Sequence, residues 1–321
     1  MSEQLHPPVA VLGLGAMGLP MARRLAGAFP VRGFDPAEAL RAAAEAAGIL
    51  CADSAAEAVG GAGIVLLAVR NAAQVEEVLF GTTGVAGALE PGAAVVMTST
   101  VGVDAVPAWT ERLAALQVDL IDAPLSGGPV RAGEGDLLIV VGAEPAALEK
   151  AGPVLERLAS TLTVVGARPG DGQAMKTVNQ LLCGVHIAAA AEALALADAL
   201  GLDQNLALAA LESGAGASFM LSNRGPRMIE GYDGRVDVLS RLDIFVKDLG
   251  IVGTAARSAG LAAPVAAAAE QLFLLGQAQD LGAVDDSSVI RVLAPAKRRA
   301  GQLDLSPPGK GDAADGQETA G

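Results

Sequence analysis

The sequence is poor in the residues that build metal sites and disulfide frameworks. Its 321 residues include two cysteines, Cys51 and Cys183, and two histidines, His6 and His186. The cysteines lie far apart and match no metal-ligand spacing, so we interpret them as reduced, small apolar side chains. With two histidines, neither a histidine-based metal site nor a histidine-based triad is expected. We therefore predict no bound metal.

The chain also lacks a basic surplus and a long apolar run. Its formal net charge of −14 argues against nucleic-acid binding, which needs a basic face. No run of eighteen uncharged apolar residues appears, and the first eight residues have no basic or hydrophobic stretch. We therefore expect neither a membrane span nor a signal peptide, and a cytoplasmic location. Apolar residues make up 52% of the chain and aromatic residues 2%, which favours closely packed, alanine-rich helices.

The first half of the chain alternates short apolar runs with helical patterns. This alternation predicts an α/β fold: a Rossmann-type, doubly wound, mainly parallel sheet with helices on both faces. The predicted strands are Val9–Leu12, Val31–Phe34, Gly63–Val69, Ala94–Thr98, Asp119–Asp122, Leu137–Val141 and Thr163–Val165. The predicted helices between them are Pro20–Ala28, Pro36–Ala47, Ala72–Leu79, Asp104–Leu116 and Pro145–Leu158.

After residue 170 the pattern becomes helical throughout. Helices are predicted at 173–200, 203–213, 241–259 and 262–281. The first would be about 40 Å long at 1.5 Å per residue, which suits a helix that joins two domains. We predict a dinucleotide-binding domain over residues 1–168 and an all-helical substrate and dimerisation domain over 169–300. Residues 301–321 are rich in Gly, Ala and acidic side chains, and we expect a disordered tail.

A glycine motif follows the first predicted strand. Residues 13–18 read Gly-Leu-Gly-Ala-Met-Gly, that is Gly13, Leu14, Gly15, Ala16, Met17 and Gly18, and a helical pattern follows at once. The first glycine permits a tight turn, the second allows a diphosphate to approach the backbone, and the third allows close packing of helix on strand. The pattern favours a bound dinucleotide, with a plain glycine turn or FAD as the alternatives.

The acidic residue Asp35 ends the second predicted strand. A carboxylate there is placed to accept hydrogen bonds from the adenosine ribose and would repel a 2′-phosphate. NAD is therefore favoured over NADP, although Arg32 and Arg41 lie close in sequence.

Two further segments carry polar groups suited to a small anion. Ser126, Gly127 and Gly128 follow a predicted strand and could cradle a carboxylate with backbone N–H groups and a hydroxyl; the alternative is a plain Gly-Gly turn. Lys176, Asn179 and Gln180 share one side of the first long helix, because residues three and four apart lie on the same face. An ammonium and two amides on such a face are costly to bury without partners.

Three stretches in order resemble one family. They are GLGAMGLPMARRL, DAPLSGGPVRAGEGDL and GQAMKTVNQ, and the resemblance to the β-hydroxyacid dehydrogenases, the 3-hydroxyisobutyrate dehydrogenase-like group, covers residues 8 to 295. Four further stretches, VRNAAQVEEVLFG, NQLLCGVHIAAAAEAL, LDIFVKDLGIV and DDSSVI, resemble the L-threonate dehydrogenase branch. The resemblance implies oxidation of a small anionic hydroxy acid with NAD, and a homodimer or homotetramer.

The resemblance also implies roles for individual residues. Lys176 would be the catalytic acid/base, Ser126, Gly127 and Gly128 would hold the substrate carboxylate, and Asn179 and Gln180 would contact the substrate. Val69, Thr100 and Lys247 would lie at the cofactor. Gln180 and the Ala68-Val69 pair depart from the pattern of many relatives, which have a second Asn and Leu-Pro there.

Other activities remain open at this stage. They are 3-hydroxyisobutyrate oxidation, tartronate semialdehyde reduction, imine reduction, which the lysine at position 176 disfavours, and NAD sensing without turnover.

Overall fold

The computed structural model describes residues 7–232, 234 and 236–293. Its first half is a sheet whose first six strands run parallel in the order β3-β2-β1-β4-β5-β6, the order of a Rossmann fold. An edge of β8, β7 and β9 continues it, with β8 antiparallel to β6 and β7. The strands are β1 (Val9–Leu12), β2 (Val31–Phe34), β3 (Leu50–Cys51), β4 (Ile64–Leu67), β5 (Ala94–Met97), β6 (Asp119–Asp122), β7 (Leu125–Ser126), β8 (Leu137–Gly142) and β9 (Ala159–Gly166).

Helices cover both faces of this sheet. They are α1 (Gly18–Ala26), α2 (Glu38–Ala46), α3 (Ala55–Val59), α4 (Ala72–Phe80), α5 (Val106–Ala114), α6 (Gly128–Glu134) and α7 (Pro145–Leu158). Successive side chains of β1 point to opposite faces, because a strand has a period of two. Val9 and Val11 belong to one apolar core, and Ala10 and Leu12 to the other. The predicted doubly wound sheet is therefore confirmed.

The second half is helical. Its helices are α8 (Asp171–Ala199), α9 (Gln204–Glu212), α10 (Phe219–Gly231), α11 (Leu242–Ser258) and α12 (Pro264–Ala278), followed by a 3₁₀ segment over Asp286–Leu293. A third core, with Phe245 and Phe273 stacked at 5.3 Å between ring centroids, lies among them. The boundary predicted at residue 168 falls between the end of β9 and the start of α8. The predicted tail, 301–321, lies outside the described residues.

Helix α8 is long and apolar enough to cross a membrane by length and composition. Half of its most apolar window is buried, however, and it packs against α10, α11 and α12. At Gly184 a Cβ would lie 2.7 Å from Leu249 of α11, so glycine permits this close approach. Helix α8 is the core helix of the second half.

Some elements were not predicted from the sequence. They are β3, β7, α3, α6, α10 and two 3₁₀ segments, Ala86–Ala88 and Asp286–Leu293, and β9 begins at Ala159, ahead of the predicted Thr163. The missed strands have two residues each, and α6 and α10 contain glycine and proline, which have the poorest helix propensities. Packing against neighbours, and not local preference, stabilises these segments.

Candidate active site

Several predicted site residues lie just beyond the carboxyl ends of neighbouring strands, at one edge of the sheet. Leu12, Leu67, Met97 and Asp122, the last residues of β1, β4, β5 and β6, are paired in register across the sheet. The loops that follow them therefore lie side by side. The glycine turn, Val69 and Thr100 belong to these loops, and Ser126 ends the short strand β7, which follows β6. They lie at the carboxyl ends of parallel strands, where ligands bind in open α/β sheets.

The glycine turn has the geometry that its sequence predicts. Gly13 has φ +95°, and a Cβ there would lie 2.5 Å from the Ala68 carbonyl oxygen. At Gly18 a Cβ would lie 1.8 Å from the Gly13 carbonyl oxygen, so the third glycine closes the turn. At Gly15, in contrast, a Cβ would meet no atom within 4 Å. The turn is closed by its outer glycines and open at its middle one.

The open side of the turn carries unpaired donors. Among the described residues, the backbone N–H groups of Gly15, Ala16 and Met17 donate to no protein acceptor. Free N–H groups at the start of a helix attract a phosphate. These residues therefore fit the diphosphate of a dinucleotide.

Asp35 supports this turn from the end of β2. It is buried, and its carboxylate accepts hydrogen bonds from Leu14 N at 2.9 Å and from Ala37 N at 2.9 Å. The two nearby arginines are bound to backbone carbonyls: Arg32 to Gly60 at 2.6 Å and Arg41 to Asp35 at 2.7 Å. An acidic group therefore stands beside the turn.

Lys176 reaches the serine of the predicted carboxylate loop. Its side chain projects from the second turn of α8, it is 7% exposed, and Nζ donates to Ser126 Oγ at 2.8 Å. Next to Ser126, Gly127 and Gly128 have φ of 144° and 77°, and Gly127 N–H has no acceptor among the described residues. The structure thus brings Ser126 and Lys176 together and leaves a donor beside them.

Burial lowers the pKa of Lys176, and the charge of Lys247 also lowers it. The charges of Asp248 and Cys183 act in the opposite sense. Desolvation is the largest of these influences, because it penalises the ammonium form. The buried amine is therefore easier to deprotonate than a lysine in water.

A buried clamp, which the sequence analysis missed, fixes the start of α8. The Asp122 carboxylate accepts hydrogen bonds from Gly170 N, Gln173 N and Gln173 Nε2, at 2.7 to 2.9 Å. Gln173 Nε2 also donates to Ser99 O at 3.0 Å, and its Oε1 accepts from Val101 N at 2.9 Å. Burial raises the pKa of Asp122. Because Gln173 is one turn before Lys176, this clamp sets where the amine emerges.

Four more predicted residues, Thr100, Lys247, Gln180 and Asn179, are linked through Asp248. Lys247 Nζ donates to Thr100 O at 2.9 Å and lies 2.6 Å from Asp248 Oδ1. Asp248 Oδ2 accepts from Gln180 Nε2 at 2.5 Å, and Gln180 Oε1 accepts from Asn179 Nδ2 at 2.9 Å. Gln180 is buried, and both ends of its amide are engaged. Asp248 was not predicted; its place directly after Lys247 was the available signal. Among the described residues, no cluster suits a metal ion.

Comparisons with known proteins agree with this arrangement. Residues 8–166 match the family model described as the NAD-binding domain of 6-phosphogluconate dehydrogenase. Residues 170–293 match the model described as NAD-binding of NADP-dependent 3-hydroxyisobutyrate dehydrogenase. Both matches bear out the NAD cofactor.

Individual relatives match nearly the full chain. It is 41% identical to an L-threonate dehydrogenase of Cupriavidus necator over 88% of this chain and 95% of that protein. It is 37% identical to an L-threonate dehydrogenase of Escherichia coli over 89% of this chain and 94% of that protein. A solved 3-hydroxyisobutyrate dehydrogenase from Salmonella typhimurium matches with a TM-score of 0.81 and 37% identity, over 89% and 99% of the two chains. The chain belongs to the 3-hydroxyisobutyrate dehydrogenase-like family of β-hydroxyacid dehydrogenases, which are NAD(P)-dependent oxidoreductases acting on CH–OH groups.

Proposed function

We propose that this enzyme oxidises L-threonate, or a closely related tetronate, at C2 to the keto acid with NAD, and that Lys176 is the general base. The observation that carries the proposal is the buried Lys176 amine, 2.8 Å from the Ser126 hydroxyl, with a pKa that burial lowers. The names of the two relatives above support the substrate.

The chain's residues divide the chemistry among them. The N–H groups of Gly15, Ala16 and Met17 would bind the diphosphate, with Gly13, Leu14 and Gly18 shaping the turn. Val69, Thr100 and Lys247 would complete the cofactor site. Bound NAD supplies the acceptor for the hydride that leaves the alcohol carbon. Ser126, Gly127 and Gly128 would hold the carboxylate, and Asn179 would orient the rest of the acid.

Lys176 would act on the alcohol proton. As a neutral amine it accepts the hydroxyl proton while the C–H bond breaks, and in reverse its ammonium returns that proton to the developing alkoxide. The lowered pKa increases the neutral fraction at a given pH. Ser126 accepts a hydrogen bond from the amine, which fixes where Nζ points.

Asp35 would favour NAD over NADP. Its carboxylate is buried beside the turn, where the added charge of a 2′-phosphate would meet a fixed negative charge. The ratio of kcat/KM with NAD to that with NADP measures this preference. Asp35→Ala should lower the ratio, and an unchanged ratio would contradict the role.

The substrate is tested with a panel of acids at fixed NAD, following the absorbance of the reduced cofactor. The panel contains L-threonate, D-threonate, D-erythronate, 3-hydroxyisobutyrate and tartronate semialdehyde, the last with the reduced cofactor. We expect the highest kcat/KM with L-threonate. A higher value with 3-hydroxyisobutyrate would replace the proposal with the activity that names the solved relative.

We also propose that the enzyme is a homodimer or homotetramer that works in the cytoplasm. The helical half exposes large apolar side chains that would suit a subunit interface, among them Leu196, Leu200, Leu206, Phe219 and Val265. Cys51 and Cys183 are free thiols, which suits a reducing compartment. Light scattering during gel filtration gives the subunit number, and a monomer would contradict the first part.

A further inference from the structure

Asp248, Gln180 and Asn179 form a chain of side-chain hydrogen bonds close in sequence to Lys176 and Lys247; we call it the amide relay. Asp248 is buried, and its Oδ2 accepts from Gln180 Nε2 at 2.5 Å. Gln180 Oε1 accepts from Asn179 Nδ2 at 2.9 Å, and the same Nδ2 donates to Cys183 Sγ at 3.4 Å. At the other end, Lys247 Nζ lies 2.6 Å from Asp248 Oδ1.

The charge of Asp248 fixes the direction of every amide in this relay. A carboxylate only accepts hydrogen bonds, and this one forms an ion pair with the Lys247 ammonium. Gln180 must therefore turn its NH₂ toward Asp248, which leaves its oxygen toward Asn179. Asn179 must then turn its own NH₂ toward Gln180. Either amide flipped alone would place two oxygens, or two NH₂ groups, against each other.

The end of the relay is an acceptor without a partner. Both hydrogens of Asn179 Nδ2 are engaged, by Gln180 and Cys183. Asn179 Oδ1 has no hydrogen-bond donor among the described residues. Asn179 lies three residues after Lys176, on the same face of α8. The site thus presents a base and, one helical turn along, a fixed acceptor.

Asn179 Oδ1, as a fixed acceptor, suits a substrate hydroxyl that does not react and not the hydroxyl that is oxidised. The reacting hydroxyl gives its one proton to Lys176 and becomes a carbonyl, which would face Asn179 Oδ1 as oxygen against oxygen. A hydroxyl that does not react remains a donor in substrate and product alike. We infer that Asn179 accepts a hydrogen bond from a second hydroxyl, on the carbon next to the one oxidised, and that Gln180 and Asp248 are positioning residues that set this polarity.

The inference rests on the proposed function and deepens it. It gives the substrate class as a vicinal dihydroxy acid, and it gives Gln180 a positioning role in place of the direct substrate contact expected from the sequence. An acid with one hydroxyl, such as 3-hydroxyisobutyrate, leaves Oδ1 unsatisfied.

The first test compares L-threonate with 2,4-dihydroxybutanoate, which lacks the hydroxyl on C3. Wild type should prefer L-threonate in kcat/KM by roughly 10- to 100-fold, the range for one hydrogen bond lost in a desolvated site. In Asp248→Asn the amides are free to flip, so this ratio should fall by about tenfold. Asp119→Asn, on the surface, is the control and should keep the ratio.

The second test reverses the relay. In Asn179→Asp alone, Gln180 faces two carboxylates and its NH₂ can serve only one. In the double variant Asn179→Asp with Asp248→Asn, Gln180 flips: it donates to position 179 and accepts from the new amide at 248. The carboxylate at 179 still presents an oxygen to the substrate. The threonate preference should therefore recover, and the melting temperature should exceed that of both single variants.

Two results would overturn the relay. One is an unchanged kcat/KM ratio of L-threonate to 2,4-dihydroxybutanoate in Asp248→Asn. The other is a double variant in which this ratio and the melting temperature fall by as much as the losses of the two single variants combined. Failure of the proposed function has a different signature, since wild type would then leave L-threonate, the other tetronates and 2,4-dihydroxybutanoate unoxidised. The melting temperatures need no substrate, so they support or refute the relay in that case as well.

Discussion

The enzyme buries charge in two places and treats it differently in each. In the helical half, Arg224 forms two hydrogen bonds with Asp286, at 3.1 and 2.8 Å, and Arg227 pairs with Asp285 at 3.0 Å. Both carboxylates are fully buried. At the edge of the sheet, Lys176 is buried as well, but its hydrogen-bond partner is the Ser126 hydroxyl. No carboxylate of the described residues lies within 4.0 Å of its amine.

The difference distinguishes a cluster that stabilises the fold, the arginine–aspartate pairs, from a cluster suited to proton transfer, Lys176 with Ser126. Each arginine in the first cluster meets a carboxylate of opposite charge, which ties the start of the 3₁₀ segment and the residue before it to α10. The lysine is held by a neutral group, so burial can lower its pKa and its proton can move. Removing a partner should therefore cost stability at the first cluster and activity at the second.

The largest effect should come from Lys176→Met, which keeps the length of the side chain and removes the amine. We expect kcat to fall roughly 10²- to 10⁴-fold, the range for loss of a general base. The Kd for NAD, measured by calorimetry, should stay close to that of wild type, and the melting temperature should not fall, because no buried ammonium remains to be desolvated. A variant that keeps its turnover would remove the lysine from the mechanism.

Asp286→Ala should show the opposite profile. It leaves Arg224 buried without its carboxylate, and breaking such a pair costs about 3–5 kcal/mol of unfolding free energy. Urea denaturation followed by circular dichroism measures the loss. At a temperature where the variant is folded, kcat for the best acid should remain near that of wild type. A stable but inactive variant would show that the comparison is wrong.

The pH dependence of the oxidation rate should report the pKa of Lys176. In the proposed mechanism the neutral amine of Lys176 is the base, so the oxidation rate should rise as pH increases through its pKa. Burial lowers that pKa, so the rise should come at lower pH than for a lysine in water, about 10.4. Asp248 raises the pKa of Lys176, while Lys247 lowers it, so Asp248→Asn should move the rising limb of the kcat profile to still lower pH. A shift to higher pH would exclude Lys176 as the titrating base.

The smallest effect should follow from Lys150→Met, the matched control for Lys176→Met. Lys150 pairs with Asp119 at 2.6 Å, but the two side chains are 36% and 44% exposed. Pairs of this kind contribute about 0–1 kcal/mol. The unfolding free energy should change by that amount or less, and kcat should not change. A larger loss of either would mean that exposure does not distinguish charged side chains that matter for stability or activity from those that do not.

The sequence predicted the fold well where pattern is strong. The segments Val9–Leu12, which is apolar throughout, and Asp119–Asp122, which has an apolar centre, form strands at their predicted bounds, and the glycine turn follows the first. Short segments escaped because their stability comes from neighbours: Leu125–Ser126 pairs with β8, and α10 contains Pro226 within its length. Periodicity cannot show contacts that distant parts of the chain supply.

The sequence motifs identified individual site residues, but they did not show the contacts between residues that are distant in sequence. Lys176 and Ser126 were each identified from local sequence, yet their 2.8 Å contact joins residues 50 positions apart. Gln173 and Asp122 carry no motif of their own that indicates a clamp, and nothing local shows that Gln180 reaches Asp248, 68 positions away. The groups that hold the chemistry in place were found from the coordinates.

The clamp of Asp122 and Gln173 restricts the motions by which the dinucleotide can enter and leave. Gln173 forms four side-chain hydrogen bonds, three with the loop after β5 and one with Asp122 at the end of β6, so the first turn of α8 is fastened to the sheet. A hinge through residues 167–170 would have to break these buried bonds. We therefore expect the sheet and the long helix to travel as one body, with exchange of the dinucleotide controlled by the outer loops and not by a parting of the two halves.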